Sequence, residues 1–104
     1  MNIIEMLSER SLLVDFKASS KKHILDALSK LAEKEINVSY RVILDNLIKR
    51  EKLGSTAVGK GIAIPHATEI SLDKPKGFLA ILSHGLEFNA NDDQPVDIIF
   101  LLLA

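Results

Sequence analysis

The residue best suited to chemistry in this chain is His66, which closes the segment Lys60-Gly61-Ile62-Ala63-Ile64-Pro65-His66. Ile62 and Ile64 alternate as in a short strand, and Pro65 has no backbone N–H, so it belongs at a strand end or edge. The pattern predicts that His66 is presented where the sheet stops. A neutral imidazole offers a nitrogen lone pair near pH 7, so it can attack phosphorus without a separate base. Histidine therefore suits reversible phosphoryl transfer, whereas serine or threonine would hold the group more stably.

Arg50 is the second candidate, because the forked donors of a guanidinium match phosphate oxygens two at a time. The competing interpretation is a solvated residue that stabilises a helix end. The loop Gly54-Ser55-Thr56-Ala57-Val58-Gly59-Lys60-Gly61 carries hydroxyls and backbone N–H groups that can cradle an anion. A purely structural loop is the alternative there. The spacing permits this loop to fold back and bring Arg50 beside His66.

The remaining polar residues are weaker candidates. His23 lies beside two lysines in the first turn of a predicted helix, which is typical of a solvated face, and His84 lies at a predicted strand end. Asp92 and Asp93 are typical turn residues. The three histidines are dispersed, which is poor spacing for metal ligands. The glycine loop lacks the third glycine of a dinucleotide-binding fingerprint and the Gly-Lys-Ser/Thr triplet of a nucleotide P-loop. The sequence therefore predicts neither a metal site nor a bound cofactor.

The elements that position these residues follow from periodicity and capping. The expected strands are Ser11–Phe16, Ile62–His66, Phe78–His84 and Val96–Ala104, and a short helical turn is expected over Asn2–Leu7. One helix is expected from a Ser19 or Ser20 cap to about Glu33, and a second from Ser39 to Leu53, with Gly54 at C′. Their predicted apolar stripes are Ile24, Leu25, Leu28, Leu31 and Ala32, then Val42, Ile43, Leu44, Leu47 and Ile48. Helices come early and strands late, which predicts a mixed sheet with helices packed on it and not a doubly wound parallel sheet.

Composition narrows the class of protein. The 104 residues predict one domain, and 47% hydrophobic with 26% charged residues is ordinary for a globular chain. A net charge of −1 gives no general attraction to nucleic acid or anionic lipid. No apolar run approaches the roughly 20 residues of a spanning helix, so membrane insertion is not expected. The absence of cysteine fits a cytoplasmic protein.

The last residues, Val96 to Ala104, form a continuous apolar run of the kind that is buried on both faces of a sheet. Either the earlier helices cover both faces, or the covering elements come from further chain or from another copy. We therefore expect residues 1–104 to be a single domain that is C-terminally truncated.

Two segments carry a resemblance to a known family. Arg50-Glu51-Lys52-Leu53-Gly54-Ser55-Thr56, followed by Gly59 to Ala67, resembles the active-site signature of the IIA domains of the bacterial phosphotransferase system, mannitol/fructose type. Leu53-Gly54-Ser55-Thr56 is similar to the nitrogen-regulatory branch. The likeness spans nearly the whole chain and implies an α/β fold with a mixed sheet flanked by helices. Family members continue beyond the strand matching Val96 to Leu103 and carry a second active-site histidine there, which this chain lacks.

The resemblance also implies a function. It makes His66 the phosphorylated residue and Arg50 a group that holds the phosphoryl, with Ser55, Thr56 and loop N–H groups helping to stabilise its charge. The favoured hypothesis is a cytoplasmic regulatory phosphocarrier that accepts the group from an HPr-like phosphohistidine protein and acts on regulators or potassium-transport components. A metal or nucleotide is not needed when donor and acceptor are both histidines. Two alternatives remain: a sugar-specific IIA unit that passes the phosphoryl to a IIB domain, and a non-catalytic binding module.

Overall fold

The computed structural model of the chain describes Leu7, residues 9–68 and residues 70–104. A 3-10 turn at Glu9–Ser11 precedes strand β1 (Leu12–Phe16), helix α1 (Lys21–Ile36) and helix α2 (Tyr40–Lys52). Strands β2 (Ala57–Gly59), β3 (Ile62–Ala63), β4 (His66–Ala67), β5 (Lys76–Leu86) and β6 (Val96–Leu103) follow. The helical turn expected over Asn2–Leu7 lies outside the described residues, except for Leu7, which belongs to no regular element.

The strands form one mixed sheet, as predicted. Its order is β1-β5-β6-β3-β2, and β4 also pairs with β6. The long pair β5–β6 is antiparallel, as is the hairpin β2–β3, whereas β1 runs parallel to β5 and both β3 and β4 run parallel to β6. The segment that contains His66 therefore pairs with strand β6.

The two helices begin and end at the residues that their capping chemistry favours. The Ser20 hydroxyl accepts from the His23 N–H at 3.0 Å, so Ser20 rather than Ser19 caps α1. That helix extends to Ile36, beyond the expected end at Glu33, and stops where Asn37 turns left-handed at φ 56°. Helix α2 follows the Ser39 cap and ends before Leu53, with Gly54 at the expected C′ position and φ 150°.

Both helices pack on the same face of the sheet within the described part of the chain. Their inward residues join the inward residues of β5 and β6 in one cluster: Ile24, Leu25, Leu28, Ala32, Ile43 and Leu47 from the helices, and Phe78, Ala80, Leu82, Ile99, Leu101 and Leu103 from the strands. In the first predicted stripe only Leu31 is half-buried. In the second, Leu44 and Ile48 are half-buried and Val42 is exposed, so that stripe is narrower than expected.

The alternative that the earlier helices cover both faces of β6 is wrong for the described residues. Ile99 is fully buried, but its neighbour Ile98 is 39% exposed, and Ile81, which pairs with Ile98, is 41% exposed. Side chains alternate across a strand, so these two lie on the face opposite the helices. The apolar run therefore has one covered face and one partly open face.

The single strand expected over Ile62–His66 is divided in two. Pro65 cannot donate a ladder hydrogen bond, so pairing is interrupted at Ile64 and Pro65. The Ile64 N–H instead donates to the Thr56 carbonyl at 2.9 Å, and the Pro65 carbonyl accepts from Leu102 N at 3.0 Å. His66 consequently opens β4 and does not end a strand. The Phe78–His84 strand is longer than expected, because it pairs with β6 from Lys76 onward.

Candidate active site

His66 is held at the margin of the sheet by backbone pairing on one side and by helix α2 on the other. It pairs with Leu102 of β6, and α2 packs against β4. Its side chain is half-buried, whereas the neighbouring Pro65 is fully buried. The buried proline anchors the backbone and leaves the imidazole between core and solvent.

Two hydrogen bonds determine the tautomer of His66. Arg50 Nε lies 3.2 Å from His66 Nε2, and His66 Nδ1 lies 3.0 Å from the Ile64 carbonyl oxygen. A guanidinium can only donate and a carbonyl can only accept. The neutral ring therefore carries its proton on Nδ1 and its lone pair on Nε2.

Arg50 lies in the last turn of α2 and uses two arms of its guanidinium. While Nε donates to His66, Nη1 donates to the Gly54 carbonyl at 2.9 Å. The chain turns at Leu53 and Gly54, which returns this carbonyl toward the helix end. The structure thus brings Arg50 and His66 together, as the sequence permitted, although they lie sixteen residues apart.

Glu51, beside Arg50, connects the helix end to the following loop. Its side chain is only 7% exposed and accepts from both the N–H and the hydroxyl of Thr56, the former at 3.3 Å. Lys21 Nζ of α1 lies 2.7 Å from Glu51 Oε2 and also 4.6 Å from the centroid of the buried Phe88 ring. This buried, multiply bonded carboxylate fixes the start of the loop that borders His66.

Ser55 and Thr56 both border the same pocket as His66, but their hydroxyl protons are engaged elsewhere. The Ser55 hydroxyl donates to the Phe88 carbonyl and accepts from Ala57 N at 3.1 Å, while the Thr56 hydroxyl donates to Glu51. These contacts hold the loop closed between α2 and the segment after β5. Neither hydroxyl donates to His66.

The glycine-rich loop forms a β-hairpin, and the backbone of its turn donates a hydrogen bond to the carboxylate of Asp92. Strands β2 and β3 are joined at Lys60, whose N–H donates to Asp92 Oδ2 at 2.8 Å. Gly59 has φ 96°, and a Cβ there would lie 3.2 Å from the same Asp92 oxygen. The hydrogen bonds from the backbone N–H groups of Lys60 and Gln94 lower the pKa of Asp92. Asp92 therefore ties the β2–β3 hairpin to the segment before β6, beyond the simple turn role expected for it.

The other histidines make local contacts of their own. His23 is exposed, accepts from Ser19 N at 3.0 Å and packs its ring 5.3 Å from that of Phe16. His84 is exposed on β5 with Nδ1 3.0 Å from the Ser83 hydroxyl. Among the described residues, no group of three or more His, Cys, Asp or Glu side chains could hold a metal ion.

The His66–Arg50 pair separates two open pockets of about 310 Å³ each. The first, called here the helix pocket, is lined by Asn46, Lys49, Arg50, Leu53, His66, Ala67 and Thr68. The second, the loop pocket, is lined by Arg50, Ser55, Thr56, Ala57, Val58, Ile64 and His66. Among the described residues no carboxylate lines either pocket, and the charged side chains that do are the cationic Lys49 and Arg50.

The sequence did not assign roles to several groups that shape this site. Glu51, Lys21 and the carbonyls of Ile64 and Phe88 all position it, and Asn46, Lys49 and Thr68 border His66. Backbone carbonyls leave no sequence signal. Glu51 had a weak sequence signal, because it follows the candidate Arg50 directly and precedes Thr56 by five residues, so its side chain can reach both the helix end and the loop.

Fold and site together define a small α/β domain with a mixed sheet, in which a histidine accepts a hydrogen bond from an arginine. The chain belongs to the family described as "Phosphoenolpyruvate-dependent sugar phosphotransferase system, EIIA 2", whose model matches residues 5–104. It is 40% identical over 104 residues to the nitrogen regulatory protein of Bradyrhizobium diazoefficiens, and this match covers the whole chain and 68% of that protein. These matches confirm the family resemblance and its nitrogen-regulatory branch.

Solved structures agree on the fold. The nitrogen regulatory protein IIA-Ntr from Neisseria meningitidis superimposes with a TM-score of 0.91 at 34% identity, covering 98% of this chain and 70% of that one. Mannitol IIA from Escherichia coli gives 0.78 at 20% identity, covering 92% and 70% respectively. The chain thus spans about two-thirds of the length of these relatives. Across the described residues, no helix is both long and apolar enough to cross a membrane.

Proposed function

We propose that this chain is the phosphoryl-accepting part of a regulatory phosphocarrier, and that Nε2 of His66 receives the phosphoryl group. The observation that carries the proposal is the 3.2 Å hydrogen bond from Arg50 Nε to His66 Nε2. It leaves the imidazole lone pair on the nitrogen that faces the guanidinium, with open pockets on both sides. The proposed nucleophile, His66 Nε2, and the cationic group that can bind the phosphoryl oxygens, Arg50, are therefore already in contact.

The transfer step follows from these contacts. His66 Nε2 attacks the phosphorus of a phosphohistidine in line, its N–P bond forms, and the donor's N–P bond breaks with its electron pair returning to the donor imidazole. For this attack the Arg50 N–H first leaves the Nε2 lone pair and donates to a phosphoryl oxygen of the incoming group instead. Meanwhile the Ile64 carbonyl keeps its bond to Nδ1–H and stabilises the positive charge that develops on the ring.

Ser55 and Thr56 are proposed to help hold the phosphoryl group from the loop pocket. Because their hydroxyl protons point to Phe88 and Glu51 in this structure, direct donation requires those bonds to be exchanged. Their contribution to the resting state is to keep the loop against Arg50 and His66.

The donor and the output are also part of the proposal. An HPr-like phosphohistidine protein is the proposed donor, the cytoplasm the proposed location, and regulatory proteins the proposed targets. The name of the Bradyrhizobium relative supports the regulatory output. The family description, which names a sugar phosphotransferase system, supports the second candidate: delivery of the phosphoryl to a IIB domain. Mixing the phosphorylated chain with a purified fructose-type IIB domain separates the two, because the sugar-transport function requires transfer.

The experiment that tests the acceptor uses HPr phosphorylated chemically with phosphoramidate and freed of the reagent. The wild-type chain is expected to take up an acid-labile, base-stable phosphate, and long-range ¹H–¹⁵N NMR is expected to place it on Nε2. His66→Ala should abolish uptake, while His23→Ala and His84→Ala, which alter exposed histidines, should retain it. Uptake by a folded His66→Ala variant contradicts the proposal. A folded wild-type chain that remains unlabelled favours the non-catalytic binding module.

A further inference from the structure

A further groove lies between the two helices, where the start of α1 meets the end of α2. Its volume is about 290 Å³. The groove, called here the lysine groove, is lined by Lys21, Lys22, Leu25, Ile48, Glu51 and Lys52. None of these residues lines the helix pocket or the loop pocket. The lysine groove is therefore separate from both pockets beside His66, and a role for it does not depend on the proposed function.

The lysine groove has an apolar floor and a cationic rim. Leu25 of α1 is 2% exposed and Ile48 of α2 is half-buried, so both helices contribute to the floor. Lys22 lies three residues before Leu25, and Lys52 lies four residues after Ile48, which places each lysine beside a floor residue on its own helix. Both lysines are exposed. A ligand in the groove therefore meets a hydrocarbon surface with an ammonium group on each helix.

The positive charges of the groove are only partly balanced by the chain itself. Glu51 is the one carboxylate among its described lining residues, and it already pairs with Lys21 at 2.7 Å and accepts from the Thr56 hydroxyl. Within the described part of the chain, neither Lys22 nor Lys52 forms an ion pair or a side-chain hydrogen bond. Lys22 also lies in the first turn of α1, where the helix dipole disfavours a cation. Because the whole chain has a net charge of −1, this positive surface is a local concentration of charge.

We infer that the lysine groove is a docking site for an acidic segment of another protein, which inserts one apolar side chain between two carboxylates. The carboxylates match Lys22 and Lys52, and the apolar side chain covers Leu25 and Ile48. The volume of about 290 Å³ lies just below the roughly 300–1,000 Å³ of small-molecule sites, so the groove suits one side chain and not a whole cofactor. Complementary charges give specificity and a faster association, while burial of the apolar side chain supplies affinity.

An anionic membrane surface is the less favoured occupant. Lipid-binding clusters contain about four to eight basic residues, each contributing about 1 kcal/mol. The groove offers Lys22 and Lys52 on a chain whose net charge is −1. Its apolar floor also lies between two helices, which suits a single inserted side chain better than a flat layer of headgroups.

The test is a titration of the ¹⁵N-labelled chain with the acetylated and amidated peptide Asp-Glu-Leu-Glu-Asp, followed by ¹H–¹⁵N NMR. Saturable shifts are expected for the backbone amides of Lys22, Leu25, Ile48 and Lys52. A peptide with serine in place of leucine should bind at least about tenfold more weakly, because it lacks the apolar side chain. Raising the salt concentration from about 0.01 M to 0.15 M should weaken binding of the leucine peptide, because salt screens exposed charges.

Lys22→Gln and Lys52→Gln should each raise the Kd of the leucine peptide about two- to fivefold, which corresponds to the loss of one exposed ion pair. Both residues are exposed, so the variants should fold. The matched control is Lys34→Gln, because Lys34 is exposed in the last turn of α1 and does not line the groove. Its Kd should equal that of wild type.

Three results would overturn the inference: shifts that are absent or confined to residues outside the groove, equal binding of the leucine and serine peptides, or equal Kd values for the two groove variants and Lys34→Gln. Sedimentation with phosphatidylserine vesicles that the groove variants abolish, without peptide binding, would assign the groove to a membrane surface instead. All of these results leave the proposed function untouched. Failure of His66 to accept a phosphoryl group would in turn contradict the proposed function and not this inference.

Discussion

At the scale of single residues, the two ring nitrogens of His66 have different hydrogen-bond partners: one contacts an acceptor and the other a donor. Ile64 supplies a carbonyl that holds the proton of His66 on Nδ1, and Arg50 supplies an N–H that holds the lone pair on Nε2. Neither partner can reverse its role, since a carbonyl has no proton to give and a guanidinium has no lone pair to offer. In the proposed function, the acceptor nitrogen is therefore already selected before a donor binds.

Replacing Arg50 with lysine tests the value of the forked donor. A single ammonium cannot serve both His66 Nε2 and the Gly54 carbonyl in the geometry of Nε and Nη1. We expect the single-turnover rate of phosphoryl uptake to fall by about 10²- to 10³-fold, the range for loss of one transition-state donor. Rapid-quench kinetics with phosphorylated HPr measure it. Arg41→Lys is the control, because Arg41 is exposed in the first turn of the same helix; equal rates for the two variants would contradict the role given to Arg50.

Glu51→Gln tests the carboxylate that ties α2, α1 and the loop together. The variant keeps one acceptor for Thr56 but loses the charge that pairs with Lys21. Because Glu51 is 7% exposed and Lys21 23%, we expect a loss of about 1–3 kcal/mol in the free energy of unfolding. Urea denaturation followed by circular dichroism measures it. Asp26→Asn, which breaks the more exposed Asp26–Lys30 pair, should cost much less, and an equal cost would remove the special role of Glu51.

At the scale of elements, the hairpin β2–β3 is positioned by contacts at both ends. The Thr56 segment is bound to α2 through Glu51, and the turn at Lys60 is bound through Asp92 to the segment before β6. The glycines allow this close approach, since a Cβ at Gly59 would lie 3.2 Å from Asp92 and one at Gly61 would lie 3.2 Å from Asp97. The loop is consequently a rigid wall of the loop pocket, held by carboxylates of the chain itself.

The pH dependence of the hairpin should follow Asp92. Its pKa is lowered from the usual 3.8 by the N–H groups of Lys60 and Gln94. A depressed folded-state pKa means that its stabilising effect is present above the unfolded pKa and is lost as the pH falls through the folded pKa. NMR titration should therefore show the Asp92 carboxyl protonating below pH 3.8, with the Lys60 amide shift following the same curve. A Lys60 amide that does not follow Asp92 would contradict the tie.

At the scale of the whole molecule, the sheet has one face covered by both helices and one that is partly open within the described residues. Val14, Ile81 and Ile98 lie side by side across β1, β5 and β6 on the open face, and all three are exposed. The covered face holds Ala80 and Ile99, which pair directly and are fully buried. The stability of the described fold therefore comes from one side of the sheet.

Substitutions of two neighbouring isoleucines test whether the two faces of the sheet contribute unequally to the free energy of unfolding. Ile99→Ala removes a fully buried side chain and is expected to cost about 2–5 kcal/mol in the free energy of unfolding. Ile98→Ala makes the same change one residue away, at a side chain 39% exposed, and is expected to cost about 1 kcal/mol. Urea denaturation of both variants gives the comparison. Equal losses would mean that the face bearing Ile98 is as well packed as the helix face.

Much of the molecule was determined locally and could be predicted from the sequence. Ser20, Ser39 and Gly54 mark helix ends through capping chemistry that acts within a few residues, and the order of helices and strands predicted the mixed sheet. The Ile-Pro-His segment and Arg50 singled out the two residues that prove to be hydrogen-bonded. These signals are legible because propensity, capping and apolar periodicity depend on neighbours in sequence.

The tertiary structure decided what depends on groups that are distant in the chain. It divided the Ile62–His66 strand, because the residues on either side of Pro65 pair with β6, whereas Pro65 itself accepts a hydrogen bond from β6 but has no N–H to donate. It paired the Thr56 hydroxyl with Glu51 and the Ser55 hydroxyl with the Phe88 carbonyl. It also left Ile98 open while burying Ile99, and assigned the lone pair of His66 to Nε2. Hydrogen-bond partners and burial arise only when separate segments meet, so the residue types of the site were readable in advance while their connections were not.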